Sequence, residues 1–145
     1  MEERIRAALD LPGKPLNAYT PLSLAFVGDA FYTLVIRTSL TAARDLTPKR
    51  LAVEDSLLAR AVTQAQLMKT LLPLLTEEEA EFYRRGKNAS PHTKAKNASL
   101  SEYLAATGFE TLLGMLYVTG QTDRALALIR TGWAALSEED PHEDR

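Results

Sequence analysis

The sequence predicts an all-α fold, a helical bundle, on three observations. No segment sustains the period-two alternation of a half-buried strand, helix-start signals recur along the chain, and apolar residues fall at helical spacing. Thr20-Pro21 places an N-cap before a proline at the first helical position, and a helix is expected from about Pro21 to Thr38. Asp45-Leu46-Thr47-Pro48 repeats the signal for a second long helix, about Pro48 to Leu72, which Pro73 ends. Thr76-Glu77-Glu78-Glu79 opens a third helix, with acids in its first turn and Arg84 and Arg85 near its end. Residues 86–97 hold no apolar side chain larger than alanine and read as a loop. Ser99-Leu100-Ser101-Glu102 is a capping box for a fourth helix running to Thr119, stopped by Gly120. The last helix, about Thr122 to Leu136, aligns Ala125, Leu128, Ile129 and Trp133 on one face.

These elements describe one domain, residues 1–136 with its core from about residue 20, followed by an acidic tail. At 145 residues the chain is long enough to bury roughly two thirds of its unfolded surface. The absence of cysteine excludes disulfides, thiolate metal sites and cysteine nucleophiles, and fits a reducing cytoplasm. The charged start Met1-Glu2-Glu3-Arg4 lacks an apolar signal core, and no run approaches the ~18 apolar residues of a membrane span. A soluble, cytoplasmic protein without a membrane partner is the expectation. The net charge of −2 conceals an asymmetry, because residues 137–145 carry five acids and one base. Without them the chain is net +2, so a basic face toward a polyanion remains open. The tail reads as a solvated, partly disordered end.

Two lone acids stand in apolar helical stretches. Asp29 lies within Leu24-Ala25-Phe26-Val27-Gly28-Asp29-Ala30-Phe31-Tyr32, and Glu110 within Ala106-Thr107-Gly108-Phe109-Glu110-Thr111-Leu112-Leu113-Gly114. An ionised carboxylate is costly to bury unless it is paired or binds a metal. Two readings stay open. Asp29 is satisfied by Thr33 or an arginine, and Glu110 by a tyrosine from a neighbouring helix. Alternatively Gly28, Gly108 and Gly114 let the two helices approach, and the acids face each other around a hard cation such as Mg²⁺.

From Arg84 to Asn97 the chain carries five bases and no acid. Arg84, Arg85, Lys87, Asn88, Lys94 and Lys96 are the side-chain types that contact phosphates and position a duplex without reading its sequence. No aromatic run is interleaved for stacking unpaired bases, and a solubilising loop is the plain alternative. Glu78 and Glu81 resemble half of the metal motif of helical nucleotide pyrophosphatases, but no second acidic pair follows, and they read as a charged helix start. Neither His92 nor His142 precedes an aspartate, which excludes an HD-type phosphohydrolase.

The segment Leu24-Ala25-Phe26-Val27-Gly28-Asp29-Ala30 resembles the Gly-Asp-Ala signature helix of the ribonuclease III family. Phe109-Glu110-Thr111-Leu112-Leu113-Gly114-Met115-Leu116-Tyr117 resembles that family's second acidic helix. Arg85-Gly86-Lys87-Asn88-Ala89 resembles a motif of the Mini-ribonuclease III branch, which consists of the nuclease domain alone. The three blocks keep order and spacing over residues 20–130. The chain departs from ordinary members at Leu22, Ala25 and Thr107, which stand where those carry acids, so the cluster shrinks to Asp29 and Glu110. That leaves the number of bound metals open.

The resemblance implies a ribonuclease III-type endonuclease domain acting as a homodimer on double-stranded RNA. Asp29 and Glu110 would be catalytic and hold Mg²⁺, leaving 5′-phosphate and 3′-hydroxyl ends. The branch is associated with trimming precursor 23S ribosomal RNA, often on a substrate bound by a ribosomal protein. The chain ends before a separate RNA-binding domain fits, so affinity is expected from the nuclease domain or a partner. The rival reading, prompted by the missing acids, is a catalytically silent, ribosome-associated RNA-binding module of the same fold.

Overall fold

The computed structural model describes residues 1–90 and 99–139, which carry seven α-helices and no strand. They are α1 (Glu2–Ala8), α2 (Pro21–Ala43), α3 (Pro48–Ala59), α4 (Ala61–Leu71), α5 (Glu77–Ala89), α6 (Leu100–Val118) and α7 (Thr122–Glu139), with short 3₁₀ turns at Leu16–Ala18 and Leu72–Leu74. Among the described residues no helix is long and apolar enough to cross a membrane.

The expected starts are in place because each is fixed by a local hydrogen bond. Thr20 caps α2 through Ser23 N–H at 3.1 Å, and Thr47 caps α3 through Arg50 N–H at 3.2 Å. Both capping boxes form, Thr76 with Glu79 and Ser99 with Glu102. Gly120 adopts φ +75° after α6, the left-handed conformation that ends a helix.

The ends differ from expectation. Helix α2 runs five residues beyond Thr38 to Ala43, since Leu40 still reaches the core. Helix α5 continues through Gly86, Lys87 and Asn88, so the first part of the expected loop is helical. A methyl on Gly86 would collide with Thr111 of α6, so this glycine serves close packing and not a turn. Helix α7 continues to Glu139, so the first residues of the acidic tail are helical; residues 140–145 lie outside the described part. Helix α1 was not expected at all.

The largest departure is a break within the expected Pro48–Leu72 helix. Arg60 is extended, with φ −67° and ψ 154°, and separates α3 from α4. No glycine or proline marks it. The carbonyls it strands are taken by side chains of the next turn: Thr63 donates to Leu57 O at 2.6 Å and Gln64 to Ala59 O at 2.7 Å.

Helix α6 is the centre of the bundle. It is buried on every side from Thr111 to Tyr117, as a helix enclosed by neighbours must be, and it packs against α2, α4 and α5. Where α2 crosses it, Gly28 and Gly114 bring the backbones together. A methyl on Gly28 would strike the Glu110 carbonyl oxygen, and one on Gly114 the Leu24 carbonyl oxygen. Thr111 fastens the same crossing by donating to Pro21 O at 3.1 Å. Tyr32 ties α2 to both flanks, donating to Leu58 O at 2.9 Å and accepting from Trp133 at 3.2 Å. Burial pushes its phenol up to about 12.

Glu79, buried at the start of α5, accepts two hydrogen bonds from Arg124 of α7, each at 2.9 Å. Arg124 also donates to Leu74 O at 3.0 Å. Arg124→Met would leave the carboxylate buried without its cation, and the expected cost is about 2 kcal/mol. This sits below the value for a fully enclosed pair because the Arg124 side chain keeps 38% of its exposure. Urea unfolding at pH 7 measures it, and an unchanged midpoint would mean that α5 and α7 are not held by this pair.

Candidate active site

The α2–α6 crossing sets where the two lone acids lie. Glu110 is four residues before Gly114 on α6 and its own carbonyl meets Gly28, while Asp29 follows Gly28 on α2. Burial, and after it the charge of Asp29, push Glu110 up to about 7 against the opposing pull of a hydrogen bond from Gln64. The two carboxylates are therefore electrostatic neighbours, as the facing-helix reading requires.

The burden of burial falls on the other acid than expected. Asp29 is exposed in the protomer, whereas Glu110 is the largely enclosed one. Asp29 sits at the edge of α2 where the core face gives way to the outer face, which the alternation of apolar residues around the helix conceals. Among the described residues no arginine pairs with it; Arg37 reaches Asp55 of α3 instead, at 3.2 Å. The partner of Glu110 is the Gln64 amide, not a tyrosine.

Of the three positions where the family's acids are missing, none offers a substitute. Leu22 is exposed, Ala25 is buried against the core, and the Thr107 hydroxyl is occupied, donating to Tyr103 O at 3.1 Å and receiving Ser90 at 3.2 Å. Among the described residues no group of three or more His, Cys, Asp or Glu side chains converges. The oxygens that could hold a cation are the two carboxylates from facing helices, and Gln64, the neighbour of Glu110, carries a buried amide oxygen that has no hydrogen-bond partner among the described residues. All three are hard oxygens. That set fits Mg²⁺, which takes few protein ligands and keeps several waters.

The Ser90–Thr107 bond has a second consequence. It pins the end of α5 one turn before Glu110, so the described end of this basic helix lies beside the turn that carries that acid. Lys87 lies over the Tyr83 ring at 5.4 Å and Arg85 over Phe82 at 5.0 Å, each stem laid along the helix with its charge near the surface. Asn88 is exposed. Arg84 is engaged with Glu81 on its own helix, at 2.6 Å, which dilutes it as a phosphate contact. Lys94 and Lys96 lie outside the described residues.

The raised Glu110 carries a sign for stability. Between its ordinary 4.5 and about 7 the folded protein keeps a proton that the unfolded chain releases. The folded state binds more protons there, so stability falls as pH rises through that window and levels off above it, by up to about 3 kcal/mol. Glu79, held low by Arg124, titrates beneath the window. Denaturation of the metal-free protein at pH 5 and pH 8 is expected to show the drop, and Glu110→Gln to remove most of it. A slope that survives the substitution would place the titration elsewhere.

Two features were not among the expected site residues. Gln64 stood in the middle of an expected uninterrupted helix, and nothing marked it apart from the Gln-Ala-Gln run around it. The outer face of α2 carries Leu22, Phe26, Ala30 and Leu34, all exposed at spacings of four, with Phe26 at 84%. This stripe was legible, since a helix apolar all round has its second face to cover.

The Ribonuclease III domain family matches residues 22–121, most of the chain. The Mini-ribonuclease 3 of Enterococcus faecalis is 44% identical over 118 residues, covering 80% of this chain and 87% of that protein. The Mini-ribonuclease 3 of Brevibacillus brevis is 37% identical over 123 residues, covering 85% and 92%. A crystal structure of a Fusobacterium nucleatum protein superposes with a TM-score of 0.73 at 25% identity, over 83% of this chain and 94% of that one.

Proposed function

The chain belongs to the ribonuclease III family, as an endoribonuclease acting on double-stranded RNA, and on that premise we propose that Asp29 and Glu110 form its Mg²⁺-holding catalytic centre. The observation that carries the proposal is the electrostatic contact of the two acids across the glycine-lined crossing. The ion, when bound there, supplies a Lewis acid that activates water and stabilises charge on the phosphodiester. Asp29 offers an exposed carboxylate on the side from which a duplex arrives. Glu110, fixed by Gln64, offers one whose proton is held until near neutral pH, so cation binding is expected to strengthen as pH rises through about 7. Arg85, Lys87, Asn88 and, beyond the described residues, Lys94 and Lys96 grip phosphates along the A-form backbone, which is recognised by shape and charge. Arg84 joins them when it leaves Glu81.

Incubating the protein with long double-stranded RNA and Mg²⁺ tests this reading. The expected products carry 5′-phosphate and 3′-hydroxyl ends; binding without such fragments would favour the silent RNA-binding module. Precursor 23S ribosomal RNA is the proposed natural substrate, by the family branch to which the curated relatives belong, and a ribosomal protein bound to it is a proposed partner. With that substrate, the cytoplasm is the proposed location.

The uncovered stripe on α2 supports a homodimer, with Leu22, Phe26, Ala30 and Leu34 meeting their copies. Asp29 lies one turn beyond Phe26, so dimerisation would build the active-site valley beside the interface. Phe26→Glu is expected to give monomers by sedimentation at micromolar concentration and to lose cutting with them. A dimer of unchanged strength would move the interface off this helix.

A further inference from the structure

We propose that Gln64 of α4 completes the cation site, contributing its amide oxygen Oε1 as a neutral third oxygen beside Asp29 and Glu110. The inference rests on the reading of those acids as cation ligands and adds a residue to it. Gln64 is 2% exposed, and its oxygen is buried without a hydrogen-bond partner among the described residues. An orphaned buried acceptor costs roughly 1–3 kcal/mol, and a folded protein keeps one where something else satisfies it.

The orientation of the amide is settled by its neighbours. Its nitrogen donates to the Ala59 carbonyl at 2.7 Å, and the same amide neighbours the Glu110 carboxylate, whose proton affinity it lowers. Turning the amide over would set its oxygen against one acceptor or the other, so the nitrogen has to face them and the oxygen is left on the remaining side. Oxygen and nitrogen share one planar group, so the orphan acceptor belongs to the same amide that neighbours the Glu110 carboxylate. A hard cation, or a water that it holds, is the chemistry that satisfies such an atom there.

The break at Arg60 is what makes the residue available. It frees the Ala59 carbonyl to anchor the amide and starts a new helix whose first turn faces α6. Leu22, Ala25 and Thr107 supply no acid, and a neutral oxygen from α4 enters a site that has lost negative charge. Such a site holds its cation less tightly than a carboxylate-rich one, because ligand charge sets affinity for hard cations.

Mg²⁺ titration of the RNA-free protein by calorimetry at pH 8 is the test, on wild type, Gln64→Leu, Gln64→Glu and Asp29→Asn. Gln64→Leu is expected to weaken binding by roughly tenfold or more. Gln64→Glu, which keeps an oxygen and adds charge, is expected to bind at least as well as wild type. Both variants lose the donor to Ala59, so a merely structural glutamine would be equally damaged in each. Melting temperature in chelator is thus expected to fall for both while affinity separates them. Wild-type affinity in Gln64→Leu, or equal loss in both variants, overturns the proposal. Should Gln64→Leu fail to fold, Gln64→Glu against wild type decides by the same criterion. Unchanged affinity in Asp29→Asn would instead overturn the underlying cation-site reading, so the two failures are distinguishable.

Discussion

Asp29→Asn and Glu110→Gln are each expected to lower Mg²⁺-dependent cutting of double-stranded RNA by roughly a thousandfold or more, with RNA affinity nearly intact. The substitutions preserve shape and remove charge. Asp29 is exposed, so its amide variant should fold as the wild type does. Glu110 is enclosed and carries a proton until about pH 7, so its neutral variant mimics a form that the fold already accommodates. Loss of activity in either variant is therefore not a folding defect, and circular dichroism with a gel-shift measurement checks it. Single-turnover cutting within tenfold of wild type by either protein would remove that residue from the catalytic centre.

The second large effect belongs to the crossing. Gly114→Ala is expected to lower stability by about 3 kcal/mol, because its methyl would meet the Leu24 backbone and not a side chain that can turn away. Gly28→Ala, against the Glu110 carbonyl, should cost as much. Relief requires α2 to lift from α6, which separates Asp29 from Glu110. Cutting should therefore fall even at temperatures where the variants stay folded. Guanidinium denaturation gives the stability and turnover at 20 °C gives the rest. A variant with wild-type midpoint and rate would show that the helices do not depend on their close approach.

Much of this architecture is visible in the sequence where its cause is local. Thr20, Thr47, Thr76 and Ser99 announce helix starts because a cap is a contact over three residues. Boundaries set by distant partners are not visible in that way. Leu40 carries α2 past its expected end by reaching the core, and Gly86 reads as a breaker because Thr111 is absent from its neighbourhood in the sequence. The bend at Arg60 has no composition signal; its cause lies in what Thr63 and Gln64 touch.

The site divides similarly. Asp29 and Glu110 stand out as charges among apolar residues, and Gly28 and Gly114 indicate how their helices meet. Which acid bears the burial depends on the rotation of each helix about its axis, and a pattern of apolar residues on two faces leaves that angle undefined for α2. Gln64 is neutral and helix-compatible, so only the stranded oxygen of its side chain distinguishes it.

Thr111 and Pro21, bonded across the crossing, are 90 residues apart in sequence. A bundle whose decisive contact joins its early and late helices has to close a long loop before that contact rewards it. During synthesis, Asp29 emerges long before Glu110, and any chain that stops short of α6 holds one acid and a solvent-facing glycine. With the centre proposed at these two acids, an incomplete translation product that lacks α6 is expected to be unable to cut the RNA around it.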